Sequence, residues 1–268
     1  VFLLITALLG QAAMADWAWR IPFLSSFVLV AIGLYVRLKL TEAPIFIAAL
    51  NKPKPKALPM MEVIVTHFKP FFLGMLICMA GYVLFYIMIA FSQIYAKSAP
   101  TVSEAGYAMG LGFSPQIFTA LLMCSAISLA ITIAISGKYI DIVGRRIWLI
   151  WTTVGVALFG LVLPYFLENG TTVSLFWFLI IGMGLIGMGY GPLASFLPEL
   201  FPTHARYSGA SLTYNIAGLF GASVAAIIAL PLNANYGLKG VGIYLTLNAV
   251  LSLIGLWFIT ETRDRQLL

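Results

Sequence analysis

Apolar runs of about 18 to 24 residues recur along this chain, and each is long enough to cross a hydrocarbon core of about 30 Å. Short polar segments separate them. The runs predict spans at residues 21–38, 70–92, 115–136, 147–167, 174–197, 208–230 and 240–260. A single buried core helix or a signal sequence would supply one such run, not a series. A barrel is excluded because its strands alternate apolar and polar residues at every second position. Composition agrees: 62% of the 268 residues are hydrophobic and 9% are charged, too few to cover a water-soluble core. The expected fold class is all-α transmembrane.

Residues 1–10, VFLLITALLG, are apolar but too few to cross a bilayer, and Val1 brings neither an initiator methionine nor a basic flank. They read as a helix cut short, so the chain is expected to be a C-terminal fragment whose upstream helices are missing.

The net charge of +6 is a topology signal before it is anything else. With the long segment after residue 38 placed in the cytoplasm, Arg37, Lys39, Lys52, Lys54, Lys56, Lys69, Lys138, Arg145, Arg146, Arg206, Arg263 and Arg265 fall on the inner side. Only Arg20, Lys97 and Lys239 fall outside. That asymmetry orients the bundle with its C-terminus in the cytoplasm, and it removes nucleic acid as the reason for the basic excess. Cys78 and Cys124 both fall inside spans and are expected to be free thiols packed as small apolar residues.

Residues 39–69 form the longest polar connection, and NKPKPK at 51–56 cannot be helical throughout. This divides the chain into 1–38, the 39–69 loop, and a block of six spans over 70–268. Six spans after a long basic loop is the layout of half of a twelve-helix transporter. Within the block, GMGLIGMGYG at 182–191 sets Gly184, Gly187 and Gly191 along one side of a helix, where small residues let backbones approach. Helix packing explains such a stripe, and a sliding seam is the functional alternative.

GKYIDIVGRR at 137–146 fits G-x-x-x-D-x-x-G-R-R, with Gly137, Asp141, Gly144, Arg145 and Arg146 in register. The glycines allow a tight interhelical turn, Asp141 can cap a helix or accept from an arginine, and the arginines offer forked donors to a carboxylate. LPELFPTHARYSG at 197–209 lies on the same side and supplies Glu199 and Arg206. A carboxylate ending a glycine-rich span calls for a basic partner, and Arg145 and Arg206 are both in reach.

At these residues the chain resembles the major facilitator superfamily, and within it the metabolite:proton symporter family of proline/betaine, α-ketoglutarate, citrate and shikimate carriers. WAWRIPFLSSFVLVAIGLYVRLKLTEAPIF at 17–46, GKYIDIVGRR, LPELFPTHARYSGAS at 197–211 and YNIAGLFGAS at 214–223 carry the likeness. The resemblance implies a twelve-helix fold of which this chain supplies the truncated helix 5, helix 6, the central loop and a C-terminal six-helix bundle. It also implies a cytoplasmic gate made of Gly137, Asp141, Gly144, Arg145, Arg146, Glu199 and Arg206, and an acidic position at Glu42. Ile142 departs from the pattern, which has a basic residue there, so the gate has one cation fewer.

None of the 9 acidic residues, Asp16, Glu42, Glu62, Glu104, Asp141, Glu168, Glu199, Glu261 and Asp264, falls at a span centre. A proton-coupling carboxylate is therefore expected elsewhere, in the half this chain lacks. His67 and His204 sit at cytoplasmic span ends and read as interfacial. What remains for a substrate cavity is neutral: Tyr82, Tyr86 and Gln93 on one helical face, with Tyr190, Tyr214 and Asn215 in the glycine-rich spans. Asn215 is the strongest single candidate, because an asparagine in hydrocarbon needs partners. Ser125, Ser128, Thr132 and Ser136 form another stripe, better read as hydroxyls bonded within their own helix.

The leading expectation is a proton-coupled symporter of a small organic acid or zwitterion in a bacterial inner membrane. Its partners are the substrate, protons, the bilayer and the missing N-terminal half, with no cofactor, no metal and no nucleic acid. A facilitated-diffusion carrier and a non-transporting sensor on the same fold stay open. A membrane enzyme is disfavoured, since no span carries a metal-ligand cluster, a nucleophile with its base, or paired carboxylates.

Overall fold

The computed structural model describes residues 2–39 and 59–262, which fall in two compact units divided between Lys54 and Pro55. Glu42 and the NKPKPK run lie outside the described residues. In the first unit, α1 (Phe2–Ala13) breaks at Gly10 and leads through one π-helical turn, Met14–Ala18, into α2 (Arg20–Lys39). No residue of α2 is buried, and its apolar side chains project all round, the pattern of a membrane helix.

The second unit begins with α3 (Pro59–Thr66), a helix inside what the sequence predicted as loop. His67, at φ −116° and ψ 33°, breaks it from α4 (Phe68–Lys97), which contains a π-helical turn at Ile87–Phe91. α5 (Pro115–Val143) starts where the Ser114 hydroxyl accepts from the Ile117 N–H and Pro115 fixes the first helical φ. α6 (Arg145–Glu168) follows after the single residue Gly144, and α7 (Thr172–Glu199) is capped by Thr171, whose hydroxyl accepts from the Ser174 N–H at 3.2 Å.

The final apolar run, Arg206–Phe258, has 53 residues. A straight helix of that length would extend about 80 Å, more than twice the hydrocarbon thickness. Gly237 resolves the conflict by leaving helical geometry, at φ 67° and ψ −171°, and the run becomes α8 (206–236) and α9 (238–258). Contacts with α4 give the directions. Thr213 meets Gly74 and Gly218 meets Tyr82, so α8 runs parallel to α4; Gly255 meets Leu73 while Ser252 binds the backbone at Leu76 and Ala80, so α9 runs antiparallel. The chain has turned back at Gly237. Among the described residues, six apolar runs thus hold the seven predicted crossings.

α5 packs along α7, and the two small-residue stripes of the sequence meet there. A Cβ on Gly187 would lie 2.1 Å from Thr132 Oγ1, one on Gly191 2.2 Å from Ser136 Oγ, and one on Gly184 3.0 Å from Ser128 Oγ. The hydroxyls donate to backbone carbonyls, Ser128 to Ile180 at 3.0 Å and Thr132 to Ser128 at 2.8 Å. The Ser/Thr stripe is a seat for the glycines, with its polar atoms satisfied inside the helix pair.

Candidate functional site

Charged residues converge where the ends of α5, α7 and α9 meet the start of α6. Gly144 makes the α5–α6 turn at φ 99° and ψ 144°, a conformation open to glycine alone, and it leaves the first N–H groups of α6 pointing at the end of α9. The Glu261 carboxylate accepts there from the backbone N–H of Arg145 at 3.1 Å and of Arg146 at 3.0 Å. A negative group at a helix N-terminus meets both orphan donors and the positive end of the helix dipole. A Cβ on Gly144 would stand 2.7 Å from Glu261 Oε2, so the same glycine supplies the turn and the room.

The arginine side chains divide their work. The Arg145 Nε lies 3.3 Å from Glu199 Oε2 at the end of α7, with both side chains 15% exposed, and Nη1 lies 3.2 Å from Asp141. The Glu199 contact is an ion pair rather than an aligned hydrogen bond. Glu199 also accepts from the Thr262 hydroxyl at 2.5 Å. Arg146 instead donates to the Leu256 and Trp257 carbonyls at 2.8 and 3.2 Å, closing the C-terminal end of α9.

Of the sequence-predicted gate residues, this geometry joins Asp141, Gly144, Arg145, Arg146 and Glu199. Gly137 is not in the turn: α5 runs on to Val143, and Gly137 is an exposed helical residue with open space around its Cα. Asp141 does not cap α6, because Glu261 holds that place. Arg206 opens α8 and, among the described residues, makes no ion pair with Glu199. Ile142 is exposed.

A cavity of about 290 Å³ opens between α4, α5, α6, α7 and α8, near the lower limit for small-molecule sites of ~300 Å³. Tyr82, Tyr190 and Tyr214 line it, as do Thr152 and Thr153. The Tyr82 and Tyr214 rings lie 4.9 Å apart, and the hydroxyls of Tyr82 and Tyr190 both neighbour that of Tyr214. Both threonine hydroxyls donate to their own helix, to the Trp148 and Leu149 carbonyls, so the phenols are the polar groups left for a guest.

Three other predicted cavity residues stand elsewhere. Asn215 is exposed, one residue and about 100° from Tyr214, and it satisfies its amide on Ser211 of its own helix at 2.8 Å. Tyr86 packs against the apolar core. Gln93 is exposed, because the π-helical turn at 87–91 inserts a residue and rotates it about 100° off the face of Tyr82. Sequence reasoning missed Glu261 as the partner of the Arg145 and Arg146 N–H groups and Thr262 as a donor to Glu199. The signal was an acid directly after the last predicted span, on the side already crowded with cations.

Residues 99–268 match the family described as sugar (and other) transporter. A Haemophilus influenzae protein whose name proposes metabolite transport is 88% identical over all of this chain and 60% of its own length. The inner membrane metabolite transport protein YhjE of Escherichia coli is 39% identical over 99% of this chain and 59% of its own length. The glycine betaine/proline/ectoine/pipecolic acid transporter OusA of Dickeya dadantii is 27% identical over 100% and 53%. The chain thus spans about 60% or less of the curated relatives it matches. No solved structure matches it. With its all-helical bundle, its membrane-length spans and a match over more than half its length, the chain belongs to the sugar (and other) transporter family of the major facilitator superfamily.

Proposed function

We propose that this chain is the C-terminal six-helix set, with the end of the N-terminal set, of a proton-coupled secondary transporter in a bacterial inner membrane. The full-length carrier moves a small organic acid or zwitterion by alternating access, with residues 39–69 as the cytoplasmic connection and the C-terminus on the same side. One observation carries the reading. The cluster of Asp141, Arg145, Glu199, Glu261 and Thr262 ties the ends of α5, α6, α7 and α9 with partly buried charge, at the face that the cation asymmetry assigns to the cytoplasm.

A partly buried ion pair is held only while every partner is in place, and it is strongly disfavoured when one partner leaves. That makes it suited to a latch which is either fully formed or released. Tyr82, Tyr190 and Tyr214 supply donors and acceptors without a fixed charge, in keeping with relatives named for zwitterions such as proline and betaine. The charged and proton-handling groups are assigned to the remaining length of the carrier.

Uptake of labelled proline, betaine, citrate and α-ketoglutarate into vesicles bearing the full-length carrier tests this. Uptake of one class that collapses with the proton gradient is the expected result. Gradient-independent equilibration would replace symport by facilitated diffusion, and saturable binding without uptake would make the protein a sensor.

A further inference from the structure

We propose that Glu62, His67 and His204 form a binding site for a divalent first-row transition metal ion, Zn²⁺ foremost. The site lies apart from the arginine cluster and does not rest on the transport reading. Its ligands come from three elements: Glu62 from the first turn of α3, His67 from the break between α3 and α4, and His204 from the connection between α7 and α8. The fold brings together residues 142 apart in sequence.

Glu62 Oε1 lies 2.6 Å from His204 Nε2 and 3.9 Å from His67 Nε2, and the three ligand atoms all fall within 4.8 Å of one another. Tetrahedral Zn²⁺, with bonds of about 2.0–2.1 Å, sets its ligand atoms roughly 3.3 Å apart. The observed separations bracket that value, so side-chain shifts of about 1.5 Å or less convert the cluster into a site. The His204–Glu62 hydrogen bond widens as the ion replaces the shared hydrogen, and His67 closes in.

Two imidazole nitrogens and one carboxylate are the donor set of Zn²⁺ and its neighbours. Ca²⁺ and Mg²⁺ prefer all-oxygen shells. The side chains of Glu62 and His67 are 19% and 26% exposed and that of His204 is 48% exposed, so the open side lies toward His204, with room for an ion to enter and for water as a fourth ligand. Beneath the cluster, Val63 is fully buried with Leu197, Leu200, Phe201 and Ala205. That apolar cluster and the packing of α3 against α8 hold the ligands near one another whether or not metal is present. A bound ion would add a coordinate link between α3 and that connection.

Tag-free full-length carrier in detergent, titrated with Co²⁺ alone and then with Zn²⁺, decides the matter. A saturable visible d–d band of low-coordinate Co²⁺ at one equivalent, displaced by Zn²⁺, is expected. His67→Ala and His204→Ala should each weaken Co²⁺ binding by about tenfold or more. Glu62→Gln, nearly isosteric, should do the same with an unchanged metal-free thermal transition, which separates ligand loss from misfolding. No saturable band in the parent protein overturns the proposal. So does a band of unchanged affinity in the three variants.

Discussion

Substituting Gly144 with alanine tests whether the α5–α6 turn and the Glu261 cap are one device. At φ 99° and ψ 144° an L side chain is strained by about 1–3 kcal/mol. The new Cβ would also stand 2.7 Å from Glu261 Oε2, forcing the carboxylate off the Arg145 and Arg146 N–H groups. Losing a carboxylate cap at a helix N-terminus costs about 1–2 kcal/mol. Gly144→Ala should therefore destabilise by roughly 2–5 kcal/mol, and Glu261→Ala by roughly 1–2 kcal/mol, since it loses the cap without the strain. Once alanine has displaced the carboxylate there is little left for the second substitution to remove, so the double variant should match Gly144→Ala within about 0.5 kcal/mol. Unfolding of purified full-length protein in mixed micelles, followed by intrinsic fluorescence, measures all three. A Gly144→Ala protein as stable as its parent refutes the steric reading, and losses that simply add refute the link between turn and cap.

Gly187→Ala should destabilise by about 1–3 kcal/mol in the same assay, because its Cβ meets the Leu129 carbonyl at 2.5 Å as well as Thr132. Gly137→Ala, with open space around it in a helix interior, should be neutral or stabilising by up to about 1 kcal/mol; equal effects at the two sites would sink the packing argument. Arg145→Glu and Glu199→Arg should each lower uptake by about tenfold or more, and the exchanged pair should recover part of it. If the exchange recovers nothing, the pair is not a functional latch. Tyr214→Phe should shift the apparent substrate affinity about 2–10-fold while Asn215→Ala leaves it alone, and the reverse ranking would move the site out of the cavity.

The membrane-length helices were legible in the sequence because each is set by local quantities, run length and apolar content, whereas α3, only 8 residues long, was not. The family motifs were legible for a related reason, since Gly144 and the arginines act through a turn only one residue long. Even the GMGLIGMGYG stripe and the Ser125–Ser136 stripe could each be read as a packing face. That they pack against one another depended on which helices become neighbours, and no local pattern encodes this.

Registers and partners were decided by the tertiary structure. A π-helical turn of five residues rotated Gln93 away from Tyr82, and a step of one residue separated Asn215 from the cavity that Tyr214 lines. Helical periodicity counts residues uniformly and cannot register an inserted one. The carboxylate that caps α6 is 116 residues from Arg145, and the one that His204 meets is 142 residues away. The sequence by itself determined an all-α membrane bundle with a charged, glycine-hinged turn on its basic side. Which carboxylate closes that turn, and which phenols face one cavity, only the folded chain decided, because charge and hydrogen bonding act over ångströms in space however far apart the residues stand along the chain.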